Sequence, residues 1–116
     1  MMVNHARNNK SRGRNFQNEV RDLILKTFPE IHPDDCKCAI MGESGMDIKL
    51  SHAAQQVLGG VSIECKRRKT LKTVYDWVKQ AQSQGDYEPV VFTRADREKP
   101  LVIISAEYYM KLLKGE

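Results

Sequence analysis

Two short segments constrain this chain more than any other feature: GESGMDIKLS, from Gly42 to Ser51, and VSIECKRRK, from Val61 to Lys69. Both have the character of β-strands, and side chains alternate across a strand. In the second segment Glu64 and Lys66 fall on one face, roughly 7 Å apart along the backbone, while Ile63 and Cys65 fall on the other. In the first, Asp47 follows a turn containing Gly42 and Gly45. A carboxylate and an ammonium group side by side on an apolar strand, with a second carboxylate on a preceding strand, are able to hold a divalent metal and a lysine against a phosphate.

The rest of the chain frames these strands. Residues 1–13 are polar, rich in Asn and Arg, and read as a flexible basic arm; residues 14–116 read as a single domain with no repeats. Phe16, Val20, Leu23, Ile24 and Phe28 recur at helical spacing until Pro29, predicting a helix over 14–28. On it Glu19 lies about 60° from the stripe centred on Phe16 and Leu23, at the edge of the expected buried face. Strands are expected at Cys36–Met41, Met46–Leu50 and Val61–Arg67. Their connections look too short for helical crossovers, including the polar stretch His52–Gly60, so an antiparallel meander is expected. Thr70 is placed to cap a helix running to about Gln84, with Val74, Trp77, Val78 and Ala81 on its apolar face and Gly85 beyond it. Two β-prone strands follow, Pro89–Thr93 and Leu101–Ser105, joined by Arg94–Lys99, and Ser105 is placed to cap a last helix from Ala106 to about Lys114. The class is α/β and the expected order is αβββαββα.

Charge is unevenly distributed. The net charge is +4, and residues 1–14 contribute Arg7, Lys10, Arg12 and Arg14 with no acid, while the remainder is balanced. A second basic run, Lys66-Arg67-Arg68-Lys69, continues from the Glu-x-Lys triplet. Positive charge beside a candidate phosphate site suits a nucleic-acid substrate. Three cysteines, Cys36, Cys38 and Cys65, in a chain with no secretory signal pattern argue for a reducing, cytoplasmic compartment. His32, Cys36 and Cys38 fit no familiar closed zinc site. No apolar run of about 18 residues is present, so no membrane span is expected.

Phosphodiester hydrolysis needs an activated water, an offset for charge developing on phosphate, and a stabilised leaving oxygen. Mg²⁺ held by oxygen ligands helps with all three. Two clustered carboxylates repel by a few kcal/mol at an effective dielectric near 20, so such a pair on an apolar strand calls for a cation. The bland readings are a cross-strand ion pair for Glu64 and Lys66 and a turn residue for Asp47.

The pattern Gly-x-Asp, a linker, then apolar-Glu-x-Lys, here GMDI and SIECK, resembles the PD-(D/E)XK nuclease superfamily. Within it the stretches RGRNFQNEVRDLI, IECKRRKTLKTVYDWVKQA and PVVFTRADREKPLVII look most like archaeal-type Holliday junction resolvases and small phage-encoded relatives. The likeness covers about Arg12 to Ser105. It implies a restriction-endonuclease-like fold, a mixed β-sheet flanked by helices, and a nuclease dependent on Mg²⁺ or Mn²⁺. It implies Asp47 and Glu64 as metal ligands, with Cys65 contributing its backbone carbonyl, Lys66 as the catalytic lysine and Glu19 reaching the metal through water. It also implies DNA contacts from Arg12, Arg14, Arg67, Arg68 and Lys69, from Ser44 beside Gly45 in the loop before the aspartate, and from Gln80 on the following helix. Met46 stands where the family usually has proline. The partners implied are branched DNA and a second copy of the chain, through VVFT and LVII or through the last helix with Tyr108, Tyr109 and Leu112. For a phage-encoded member the compartment is the host cytoplasm. The rivals are a flap- or nick-directed or structure-nonspecific nuclease of the same fold, and a catalytically idle DNA-binding module.

Overall fold

The structure, a computed structural model, describes residues 5–40 and 45–116, with side chains from residue 13 onward in that range. It is mixed α/β, with four α-helices and two small antiparallel two-stranded sheets among the described residues. The chain divides into two compact units, Met1–Arg67 and Arg68–Glu116, at a point the sequence does not mark.

The first unit opens with α1, His5–Thr27. Its backbone is helical well ahead of Arg14, although Asn8, Asn9, Ser11 and Gly13 are poor helix formers. It ends close to the expected boundary. Thr27 Oγ1 donates to the Leu23 carbonyl at 2.7 Å, the Phe28 N–H donates to the Ile24 carbonyl at 2.9 Å, and Pro29 brings no N–H to continue the ladder. A 3₁₀ turn, Pro33–Asp35, is capped by the His32 ring, which accepts the Asp34 N–H at 3.0 Å. It leads into β1, Cys36–Cys38, which pairs antiparallel with β2, Ile48–Leu50, setting Cys36 against Leu50 and Cys38 against Ile48. Arg21 Nε donates to the Cys36 carbonyl at 2.8 Å and ties α1 to β1. Ile24, Phe28, Ile31, Cys36, Ile48, Ala54 and Leu58 are the buried core. Each large aliphatic or aromatic member contributes roughly 1.5–3 kcal/mol by leaving water.

Two expectations fail here for a shared reason. The stretch read as a polar connection contains α2, His52–Leu58, with Ser51 Oγ accepting the Ala54 N–H at 3.1 Å and Gly59 ending the helix at φ 81°. Ala54 and Leu58, four residues apart, fall on one helical face and bury there. Seven helical residues rise about 10 Å, enough to return the chain beside a three-residue strand. The segment Val61–Arg67 forms no strand, and no antiparallel meander with β1 and β2 forms among the described residues. Nor does the segment make a regular ladder. The Asp47 N–H donates to the Ile63 carbonyl at 3.1 Å. In a parallel pair the Cys65 N–H would then donate to the Asp47 carbonyl. That carbonyl already accepts the Ala39 N–H at 2.9 Å, and the Asp47 side chain takes the Cys65 N–H instead.

The second unit comprises α3 (Lys72–Gln82), β3 (Val91–Thr93), β4 (Leu101–Ile103) and α4 (Ala106–Lys114). Thr70 does not cap α3. The cap position is Leu71, without a side-chain hydrogen bond, and its carbonyl accepts the Tyr75 N–H at 3.1 Å, so the helix starts one residue too late for Thr70 to serve. The β3–β4 hairpin is antiparallel, with Phe92 opposite Val102. Ser105 caps α4 as expected, its Oγ accepting the Tyr108 N–H at 3.0 Å. The observed order is αββααββα, in place of the expected αβββαββα.

Candidate active site

Asp47 sits at the start of β2, half-buried, between β1 and the Val61–Arg67 segment. Its backbone joins both neighbours, and its carboxylate Oδ2 accepts the Cys65 N–H at 2.6 Å. A hydrogen bond of that length to a charged acceptor is worth roughly 1.5–3 kcal/mol and fixes the carboxylate beside the residue that separates Glu64 from Lys66. The alternation expected for that segment is present. Glu64 Oε1 and Lys66 Nζ meet at 3.1 Å, with side chains 61% and 67% exposed, so this pair stands in water and stabilises the fold little.

Cys65 points the other way. Its thiol is pushed up to about 11, first by burial, then by the negative charges of Asp47, Cys38 and Glu64 in their ionised forms. Burial also raises Cys36 and Cys38, and Cys38 Sγ donates to Asn18 Oδ1 at 3.3 Å. At neutral pH the Cys65 sulfur is a protonated thiol and a poor nucleophile.

Gln55 of α2 holds the segment in place and was not marked by the sequence reading. Its Nε2 donates to the Val61 carbonyl at 2.9 Å, and its Oε1 accepts the Val61 N–H at 2.8 Å. One side-chain amide thus copies both bonds of a neighbouring strand. A helix assigned to 52–58 would have been the signal.

The other candidates are placed less centrally. Glu19 is exposed on α1, not at the edge of its buried face. The packed face centres on Ile24 and Phe28, and Glu19 lies about 140° around the helix from Ile24 at 100° per residue. The α1 side chains that reach β1 are Asn18 and Arg21. Arg12 is in α1 and its side chain lies outside those described; Ser44 lies outside the described residues; Arg14 is exposed. Arg67, Arg68 and Lys69 are exposed, with Arg67 and Arg68 each engaged within the structure. Gln80 belongs to the second unit, on α3, where it lines a groove with Trp77, Gln84 and Phe92.

Among the described residues no three His, Cys, Asp or Glu side chains gather closely enough to hold a metal ion between them. Two carboxylates and a carbonyl are a different donor set, made only of hard oxygens. That chemistry fits Mg²⁺ or Mn²⁺. No helix among the described residues is long and apolar enough to cross a membrane. No known protein family matches the chain, and neither a curated protein nor a solved structure is significantly similar to it.

Proposed function

We propose that this chain is a Mg²⁺-dependent endodeoxyribonuclease of the PD-(D/E)XK type, with a restriction-endonuclease-like fold, cutting branched DNA as a homodimer. One observation carries the reading. The Asp47 carboxylate is bonded to the Cys65 amide at 2.6 Å, within the triplet whose outer members, Glu64 and Lys66, meet at 3.1 Å. The Asp47 carboxylate, distant in sequence, thus lies against the backbone of a triplet whose side chains suit phosphodiester hydrolysis.

Asp47, Glu64 and the Cys65 carbonyl are the residues that would hold the cation. When bound, it lowers the pKa of a coordinated water and offsets charge on the phosphate. The chain's own groups do the rest. The Cys65 N–H holds Asp47 in one orientation. Glu64 holds the Lys66 ammonium at 3.1 Å through their ion pair. The Lys66 ammonium, exposed on that face, is free to orient a water and to meet the phosphate charge. The basic run Arg67 to Lys69 and the cations of α1 draw the DNA backbone. The α4 face with Tyr109 and Leu112, both exposed, is the surface proposed to pair two copies.

The test is incubation of labelled four-way junction, flap and linear duplex with Mg²⁺ or with EDTA. Symmetrical metal-dependent nicks in the junction are expected. Equal cutting of all substrates would shift the reading to a general nuclease of this type, and retention without cutting would leave only a binding module.

A further inference from the structure

Gln55 closes a turn on itself. Its carbonyl accepts the Gly59 N–H at 2.9 Å and the Gly60 N–H at 3.0 Å. Gly59 and Gly60 both lie in the left-handed region, at φ 81° and 77°, where a side chain would be strained. The turn brings Val61 to the Gln55 side chain, whose amide takes both its N–H and its carbonyl. The helix that carries Gln55 is held by Ala54 and Leu58, both seated in the core.

From Val61 onward exposure alternates. Val61, Ile63 and Cys65 are half-buried, while Ser62, Glu64 and Lys66 are exposed. The half-buried residues are also tied, Val61 to Gln55, and Ile63 and Cys65 to Asp47. With a period of two, a slip of one residue would turn Glu64 and Lys66 inward and Cys65 outward, and would move each by about 3.3 Å. The Asp47 bonds alone do not forbid that slip, because they use a backbone carbonyl and a backbone N–H, which the neighbouring residues also carry. Gln55 does forbid it. It lies six residues from Val61, and the turn between them is closed by its own bonds, so Ser62 cannot reach the same amide without opening that turn.

We propose that Gln55 is a positioning residue for the candidate active site: its side-chain amide sets the register in which the Glu64-Cys65-Lys66 triplet meets the Asp47 carboxylate. The consequence for chemistry rests on the nuclease reading; the register does not. A glutamine suits the task because one planar group supplies a donor and an acceptor, whereas a carboxylate at neutral pH only accepts.

The experiment uses the full chain and three variants. Gln55→Met keeps the length of the side chain and removes both bonds. Gln55→Glu keeps the acceptor for the Val61 N–H and loses the donor. Ile24→Val, in the packed face of α1, is the control for a general loss of stability. Amide hydrogen exchange in EDTA compares the Cys65 N–H with those of the buried α1 residues Ile24 and Phe28. In Gln55→Met the Cys65 N–H should exchange at least about tenfold faster relative to the α1 amides than in the parent, with Gln55→Glu in between. In Ile24→Val all of them should rise together. Single-turnover cleavage of a labelled four-way junction across a Mg²⁺ series supplies the second readout. The half-saturating Mg²⁺ concentration should rise about 10–100-fold in Gln55→Met, the range for residues that orient metal ligands, and stay unchanged in Ile24→Val. Cys65 exchange that follows the α1 amides in both Gln55 variants would overturn the role and leave Gln55 a general stability element. So would an unshifted Mg²⁺ requirement in a parent and variant that both cut. A parent that does not cut would sink the nuclease reading, and the exchange comparison alone would then decide the register. If Gln55→Met does not fold, Gln55→Glu carries both measurements.

Discussion

Replacing Asp47 in two ways separates its structural work from its chemical work. In Asp47→Ala the Cys65 N–H loses the acceptor it meets at 2.6 Å in a half-buried setting. Leaving such a donor unpaired costs about 1–3 kcal/mol. For a chain of this size that corresponds to a fall in melting temperature of roughly 3–15 °C. In Asp47→Asn a neutral oxygen remains to accept the same N–H, so about half of that cost is expected. Chemistry responds differently. Both variants lose the carboxylate, and if that removes about 4 kcal/mol of charge stabilisation through the cation, turnover falls about a thousandfold in each. The cation supplies a third readout. Mg²⁺ at 100 times its dissociation constant would stabilise the parent protein by about 2.7 kcal/mol, and neither variant should show that gain. Thermal unfolding with and without Mg²⁺, beside single-turnover cleavage of a junction, measures all three. If Asp47→Asn kept a tenth or more of the turnover, the ligand assignment would be wrong. If Asp47→Ala melted with the parent, the Cys65 hydrogen bond would not be the device that orders this site.

Gln55→Leu removes both bonds to the Val61 backbone and should destabilise the fold by about 2 kcal/mol; urea unfolding checks this, and a change below about 0.5 kcal/mol would show the segment is held by other means. Lys66→Ala should leave stability within about 0.5 kcal/mol, because its partner Glu64 and Lys66 itself are both largely exposed, yet abolish cleavage; normal cleavage would remove the lysine from the mechanism. The Cys65 thiol predicts an alkaline limit. It is neutral in the folded state up to about 11 but ionises near 9.0 when unfolded, so its contribution is intact below pH 9 and is lost as pH rises toward 11. Cys65→Ala should flatten that limb of the stability profile, and an unchanged limb would contradict the burial of the thiol.

Local pattern carried a good part of this protein. The stop of α1 at Pro29, the Ser105 cap of α4, the two hairpin strands and the shared face of Glu64 and Lys66 all depend on residues within a few positions of each other, and all were legible in the order of residues. Helix periodicity also located α1, but not which of its faces packs. The apolar residues of α1 spread over a wide arc, and only the contacts of Ile24 and Phe28 with the remaining core set the rotation that leaves Glu19 in water.

The return of the chain after β2 was a tertiary decision. A polar-looking stretch became helical because Ala54 and Leu58 had a core to enter, and the segment after that helix forms no antiparallel strand with β2. The pairing of Val61–Arg67 then depended on side chains in place of backbone, the Gln55 amide at Val61 and the Asp47 carboxylate at Cys65. No periodicity encodes such a substitution, because it joins residues 6 and 18 positions apart through groups that alternation and propensity do not weigh. The residue types available for chemistry were written in the chain; the meeting of the Asp47 carboxylate with the Cys65 amide came from the three-dimensional packing around them.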